Sequence, residues 1–146
     1  MTHNLTINYL CPDCRSYLRV WNNIIFTVKL KSKKQQGILL LNPQLGNYDF
    51  FHHTSIKFEE GELVDFICPV CHADLTATEI NENLARVILI DENNKEYDVY
   101  FSKICGEHST FKIREDDIIS KYGEDSSSYL SYFMSKFKKA STNKKD

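Results

Sequence analysis

Three stretches hold the side chains with which this chain could do chemistry. Cys11 and Cys14 lie in "CPDC", Cys68 and Cys71 in "CPVC", and Cys105 stands three residues ahead of His108 in "CGEH". A Cys-x-x-Cys turn sets two thiolates on one side of a tight loop, ready to occupy adjacent corners of a tetrahedron. Pro12 and Pro69 fix φ inside the two turns, and the turn amides can hydrogen-bond the sulfurs. Two such knuckles from neighbouring strands supply the four ligands of a closed zinc site; four thiolates would also suit iron. Five cysteines is an odd number that fits poorly with a complete disulfide framework. A reducing cytosol would leave these thiols free for metal.

The two knuckles match beyond their cysteines. Ile7-Asn8-Tyr9-Leu10-Cys11-Pro12-Asp13-Cys14 faces Val64-Asp65-Phe66-Ile67-Cys68-Pro69-Val70-Cys71 at an offset of 57 residues, with only Asp13 against Val70 dissimilar. Further on, His53 to Phe58 faces His108 to Ile113 at an offset of 55. Two matches in the same order with nearly equal offsets point to an internal duplication. It divides the chain into a first repeat over 1–60, a second over 61–114, and a C-terminal helix with a basic tail over 115–146.

The elements that must position these residues follow from the hydrophobic pattern. "IIFTVKLK" at 24–31 is apolar and β-branched, "SKKQQG" turns, and "ILLL" returns; in the second copy "LARVILI" runs up, "DENNKE" turns and "YDVYF" returns. Each repeat is therefore expected to hold a β-hairpin after its knuckle. Beyond residue 114, Ile118, Ile119, Tyr122, Tyr129, Leu130, Phe133, Met134 and Phe137 fall at helical spacing, interrupted by "GEDSSS". Ser126–Ser128 can cap the final helix, and the carboxylates of "REDD" at 114–117 suit a helix start. The expected fold is mostly β (α+β): two antiparallel β repeats plus a C-terminal amphipathic helix. Trp21 and the aromatic strands read as core, "KFEEGELVD" as a solvated turn, and His72 as a surface neighbour of its knuckle.

At this point the knuckles and their hairpins resemble the zinc-ribbon class, with its rubredoxin-like CPxC turns, arranged here as a degenerate tandem pair. The resemblance implies a structural class and identifies no particular family. Two features depart from it. Arg15 and His72 stand where Gly often follows the knuckle, and 33 residues separate Cys71 from Cys105, against roughly 15–20 in a compact ribbon.

Two pairings of the ligands are open. In one, Cys68, Cys71, Cys105 and His108 form a site within the second repeat, and the duplication favours this scheme. Cys11, Cys14 and His53 then give the first repeat three ligands, because Phe50 stands where Cys105 would be. His52, Asp49 or His3 could be its fourth; otherwise the site has decayed or keeps an open position, as catalytic zinc does. In the other pairing, Cys11, Cys14, Cys68 and Cys71 share one all-thiolate site across the repeats.

Composition narrows the function classes. Hydrophobic residues make up 42% of the 146, with nine Phe and eight Tyr, so a packed core is feasible. The last eleven residues carry five Lys against one Asp, so with a net charge of −2 the other 135 sum to −6. An acidic body disfavours a nucleic-acid footprint, which needs a basic face. No stretch approaches the roughly 20 apolar residues of a membrane span, and no signal segment opens the chain, so the expected location is cytoplasmic. No nucleophile–base pair, phosphate loop or paired carboxylates are recognisable. The sequence reading is a non-catalytic, zinc-stabilised module for a protein partner. A rubredoxin-like redox protein and a nucleic-acid-binding zinc ribbon stand as alternatives.

Overall fold

A computed structural model describes residues 6–145, with side chains described as far as Phe137; His3 and the tail lysines beyond Phe137 fall outside that range. The described residues form ten strands in two antiparallel sheets, followed by a 3-10 turn and one α-helix. The strands are β1 (Asn8–Leu10), β2 (Arg19–Val20), β3 (Asn23–Leu30), β4 (Gln35–Leu41), β5 (Phe50–His52), β6 (Asp65–Ile67), β7 (Leu84–Ile90), β8 (Glu96–Ser102), β9 (Thr110–Arg114) and β10 (Asp117–Tyr122). The first sheet runs β1-β7-β8-β9-β10 and the second β2-β3-β4-β5, with β6 also on β3. The expected mostly β body is present.

Both hairpins form where the pattern placed them. In β3 the side chains of Ile24, Phe26, Val28 and Leu30 are buried while Lys29 faces water, the period of two that a half-buried strand imposes. The β7–β8 turn is closed by Asp91, whose carboxylate accepts from the amides of Asn93 and Lys95 at 2.9 Å each. Asn94 takes the left-handed backbone there (φ 62°), as Asn does at little cost.

The two sheets exchange strands. β1 leaves its own neighbours and pairs with β7, Tyr9 opposite Leu89. β6 does the reverse and pairs with β3, Phe66 opposite Val28. Each knuckle therefore begins on a strand of one sheet and returns to the other: Arg19 pairs with Ile24 of β3, and Thr76 with Ala85 of β7. Sheet membership thus crosses a division of the chain near residue 60. Between the sheets lies one core, with Tyr9, Phe26, Val28 and Leu39 meeting Phe66, Val87, Leu89 and Val99.

A second core covers the outer face of the first sheet. The helix α1 (Leu130–Lys145) lays Phe133 onto Tyr100 and Phe111, at ring-centroid distances of 5.1 and 4.3 Å. Tyr129 is buried in the same cluster, and Leu130 and Phe137 pack against it. Met134, expected in the apolar stripe, is exposed. The chain reaches α1 through a 3-10 turn at Ser126–Ser128; Ser126 is buried and its hydroxyl donates to the Tyr122 carbonyl. Gly123 allows the approach: with φ 93°, a Cβ there would lie 2.2 Å from the His108 carbonyl oxygen.

Three expectations are corrected here. "REDD" opens no helix; Glu115 and Asp116 both take positive φ (52° and 65°) and close a two-residue hairpin between β9 and β10, the conformation whose twist matches flanking strands. Ile118, Ile119 and Tyr122 therefore lie on a strand. Trp21 is not core: it sits at φ 57° in the β2–β3 turn and is 87% exposed.

Candidate metal centre

Each knuckle is built from the same hydrogen bonds. Asp13 N and Cys14 N donate to Cys11 Sγ at 3.3 and 3.5 Å. Val70 N and Cys71 N donate to Cys68 Sγ at 3.3 and 3.4 Å. Each turn closes by a backbone bond to its first cysteine's carbonyl, from Arg15 N at 2.9 Å and His72 N at 3.0 Å. Arg15 and His72 occupy the position that suits Gly and pay for it with left-handed backbone, φ 60° and 66°. The side chain of Arg15 is held outward by Glu96 of β8, Nη2 to Oε2 2.5 Å.

Because β1 and β6 exchange sheets, the two knuckles meet. The sulfurs of Cys11, Cys14, Cys68 and Cys71 all lie within 4.8 Å of one another. Cys11 Sγ is 3.8 Å from Cys71 Sγ, and Cys14 Sγ is 3.8 Å from Cys68 Sγ. That spacing is the edge of a tetrahedron whose centre lies about 2.3 Å from each corner, the usual zinc–sulfur distance. Cys11 and Cys68 are fully buried while Cys14 and Cys71 are exposed, so the group spans the boundary between core and solvent. Burial pushes the Cys11 thiol up to about 12, whereas the Ser16 hydroxyl and amide bring Cys14 down to about 6. A bound cation would draw all four to thiolate, with release of protons. Four cysteines are placed to hold one metal ion.

The other candidate ligands stand apart from this group. Cys105 is half-buried on the connection after β8, its amide donating to the Glu62 carbonyl at 2.8 Å and its carbonyl accepting from Gly61 at 2.9 Å. Burial raises its thiol, with Glu62 and Glu60 adding to the effect. The His108 ring stacks on Tyr48 at 4.4 Å, and its Nδ1 lies 2.8 Å from Glu124 Oε1. His53 Nδ1 accepts from Ser55 N at 3.0 Å, a local turn contact, and His52 Nδ1 donates to the His53 carbonyl. Neither Cys105, His108 nor His53 joins a group of three or more such donors among the described residues.

Strand register also revises the match of His53 with His108. Ile24 pairs with Leu41, and Leu41 with Phe50; the corresponding partners in the first sheet are Ala85, Phe101 and Thr110. Thr110 is therefore the counterpart of Phe50, His108 that of Tyr48, and Cys105 that of Leu45. The stacked Tyr48–His108 pair is a contact between counterparts.

The geometry predicts a thiol-labelling order. With metal bound, mild alkylation of the native protein should modify Cys105 alone, slowly because its thiol is raised, and a chelator should open the other four. Peptide mapping that finds Cys11 or Cys14 labelled first would contradict the four-sulfur site.

The sequence matches no protein-family model, and no curated protein and no solved structure is significantly similar to it.

Proposed function

We propose that this chain is a non-catalytic protein-interaction module whose two zinc-ribbon-like halves, products of a duplication, are clamped by one structural zinc ion on Cys11, Cys14, Cys68 and Cys71. The observation that carries the metal half is the convergence of the four sulfurs, all within 4.8 Å of one another and two pairs of them at 3.8 Å. The recurrence of the knuckle hydrogen bonds from Cys11–Arg15 to Cys68–His72 supports duplication. Four protein ligands fill the tetrahedron and leave no position for substrate, which is the mark of a structural rather than a catalytic site. Free thiols in this number suit a reducing compartment, the cytoplasm. Among the described residues no helix is long and apolar enough to cross a membrane.

The interaction half rests on a difference between the sheets. On the first sheet, Tyr100 and Phe111 are adjacent across β8 and β9 and are covered by Phe133 of α1. Their counterparts on the second sheet, Leu40 and Phe51, pair across β4 and β5; Leu40 is half-buried, Phe51 is 64% exposed, and Ile38 beside them is also exposed. This face would receive an amphipathic helix from a protein partner, as α1 is received on the other side. Phe51→Lys should weaken binding of a copurifying partner by tenfold or more, the loss expected of a central apolar anchor. Metal content and melting temperature should not change. A partner retained at full strength by Phe51→Lys and Ile38→Lys would sink this half of the reading.

Four thiolates also hold iron, as in a rubredoxin-like electron carrier. Metal analysis of protein purified without added metal separates the two: one zinc per chain and no colour is expected, and one iron with visible absorption would replace the structural reading with a redox one.

A further inference from the structure

A cavity of about 160 Å3 lies between the two sheets, away from the roles assigned so far. Its inner wall includes Phe26, Phe66 and Phe101, which pack on one another at centroid distances of 5.0 to 5.7 Å, together with Leu39, Val87 and Val99. Two loops, Leu45 to Tyr48 and Cys105 to His108, which the strand registers make counterparts of each other, also line it; Gly46 and Gly106 in them are exposed, which puts the opening on that side. The space is open to solvent on that side and closed by apolar side chains on the other.

The chemistry of the wall decides what could fill it. The polar side chains of Gln44, Asn47, Glu107 and His108 also line the space, and several of its other polar groups are already engaged. Tyr9 Oη donates to the Pro43 carbonyl at 2.6 Å, Tyr48 Oη and Thr110 Oγ1 share a bond of 2.9 Å, and Lys103 Nζ lies 2.8 Å from Asp65. Among the described residues no buried side-chain nitrogen or oxygen lacks a partner. Water is held well only where it finds two to four polar partners, so water against the apolar inner side is held weakly, and a small apolar guest such as benzene displaces it at little cost. A charged guest would lose its hydration without compensation.

We propose that this cavity is a binding site for a small, uncharged, apolar molecule of about benzene's size, entering between the Leu45–Tyr48 and Cys105–His108 loops. Cys105, which the four-sulfur centre does not use, lines the mouth and reports on occupancy. The inference does not depend on the identity of the metal.

The test uses the full chain with its metal in place and benzene as the probe. Saturating benzene should raise the melting temperature by a few degrees and slow alkylation of Cys105 several-fold, while benzoate should do neither. Val99→Phe, which fills the space, should abolish both effects with circular dichroism and metal content unchanged; Val87→Leu serves if Val99→Phe does not fold. No change in melting temperature or labelling rate with benzene would overturn the proposal. So would an effect that survives the filled variant, or one that benzoate reproduces.

Discussion

Cys11→Ser and Cys68→Ser should each empty the metal from the chain and leave it largely unfolded. Cys105→Ser, His108→Ala and His53→Ala should each keep one metal per chain. The size of the effect follows from what the sulfurs do. They bring a turn that begins on β1 of the first sheet against one that begins on β6 of the second, so an ion bound there would hold the point at which the strands exchange. Structural zinc contributes about 10 kcal/mol or more of apparent binding free energy in small finger peptides, comparable to the roughly 5–15 kcal/mol that holds a whole domain folded. The core between the sheets offsets part of the loss, but Cys11 and Cys68 are themselves members of that core. Serine at either site would bury a hydroxyl among apolar neighbours as well as losing a ligand. Metal content by mass spectrometry, read beside far-ultraviolet circular dichroism, checks both. Loss of metal in Cys105→Ser or His108→Ala would refute the four-sulfur centre and restore a site within the second half of the chain.

The knuckles were legible because they are local: the Cys-Pro-x-Cys turn carries its own geometry in four residues. Which knuckles come together was not, because that depends on β1 and β6 pairing across the molecule. Each is only three residues long, and nothing in "NYL" or "DFI" names a partner strand. The hairpins β3–β4 and β7–β8 were legible from their runs and turns. β10 was misread for a physical reason: its side chains do alternate between exposed and half-buried, but Ile119 is on the exposed side and Ser120 on the half-buried one, which hides the apolar–polar alternation that would have marked a strand. The helix stripe of Tyr129, Leu130, Phe133 and Phe137 was legible from its spacing, but the orientation of Met134 depends on how much of the helix the sheet covers. The "KFEEGELVD" segment divides in two. Glu59 and Glu60 are exposed as expected, whereas Val64 and Asp65 are buried, because β6 carries them beneath the connection that leaves β8.

Asp65 gives the second large effect. Its side chain is 6% exposed and lies 2.8 Å from the ammonium of Lys103, itself 3% exposed. Lys103 Nζ also donates to Thr76 Oγ1 at 2.6 Å, and Thr76 Oγ1 in turn donates to Asp74 Oδ1 at 2.6 Å. The other cation near Asp65 is Lys31, at 3.4 Å on a side chain that is 80% exposed. Lys103→Met should therefore leave a buried carboxylate with one weak, solvated partner, at a cost of about 3–5 kcal/mol. A buried pair, however, need not be worth more than apolar groups of the same shape, since both ions lose their hydration. Lys103→Met combined with Asp65→Leu should accordingly recover most of the stability, a coupling of several kcal/mol in a double-mutant cycle of denaturant unfolding. What the pair contributes is position: it fixes β6 against the segment that follows β8, three residues before Cys68. Both variants should keep one metal per chain, which separates them from the cysteine substitutions. A loss below about 1 kcal/mol in Lys103→Met would mean that Asp65 is solvated, and the seating of β6 between the sheets would be wrong.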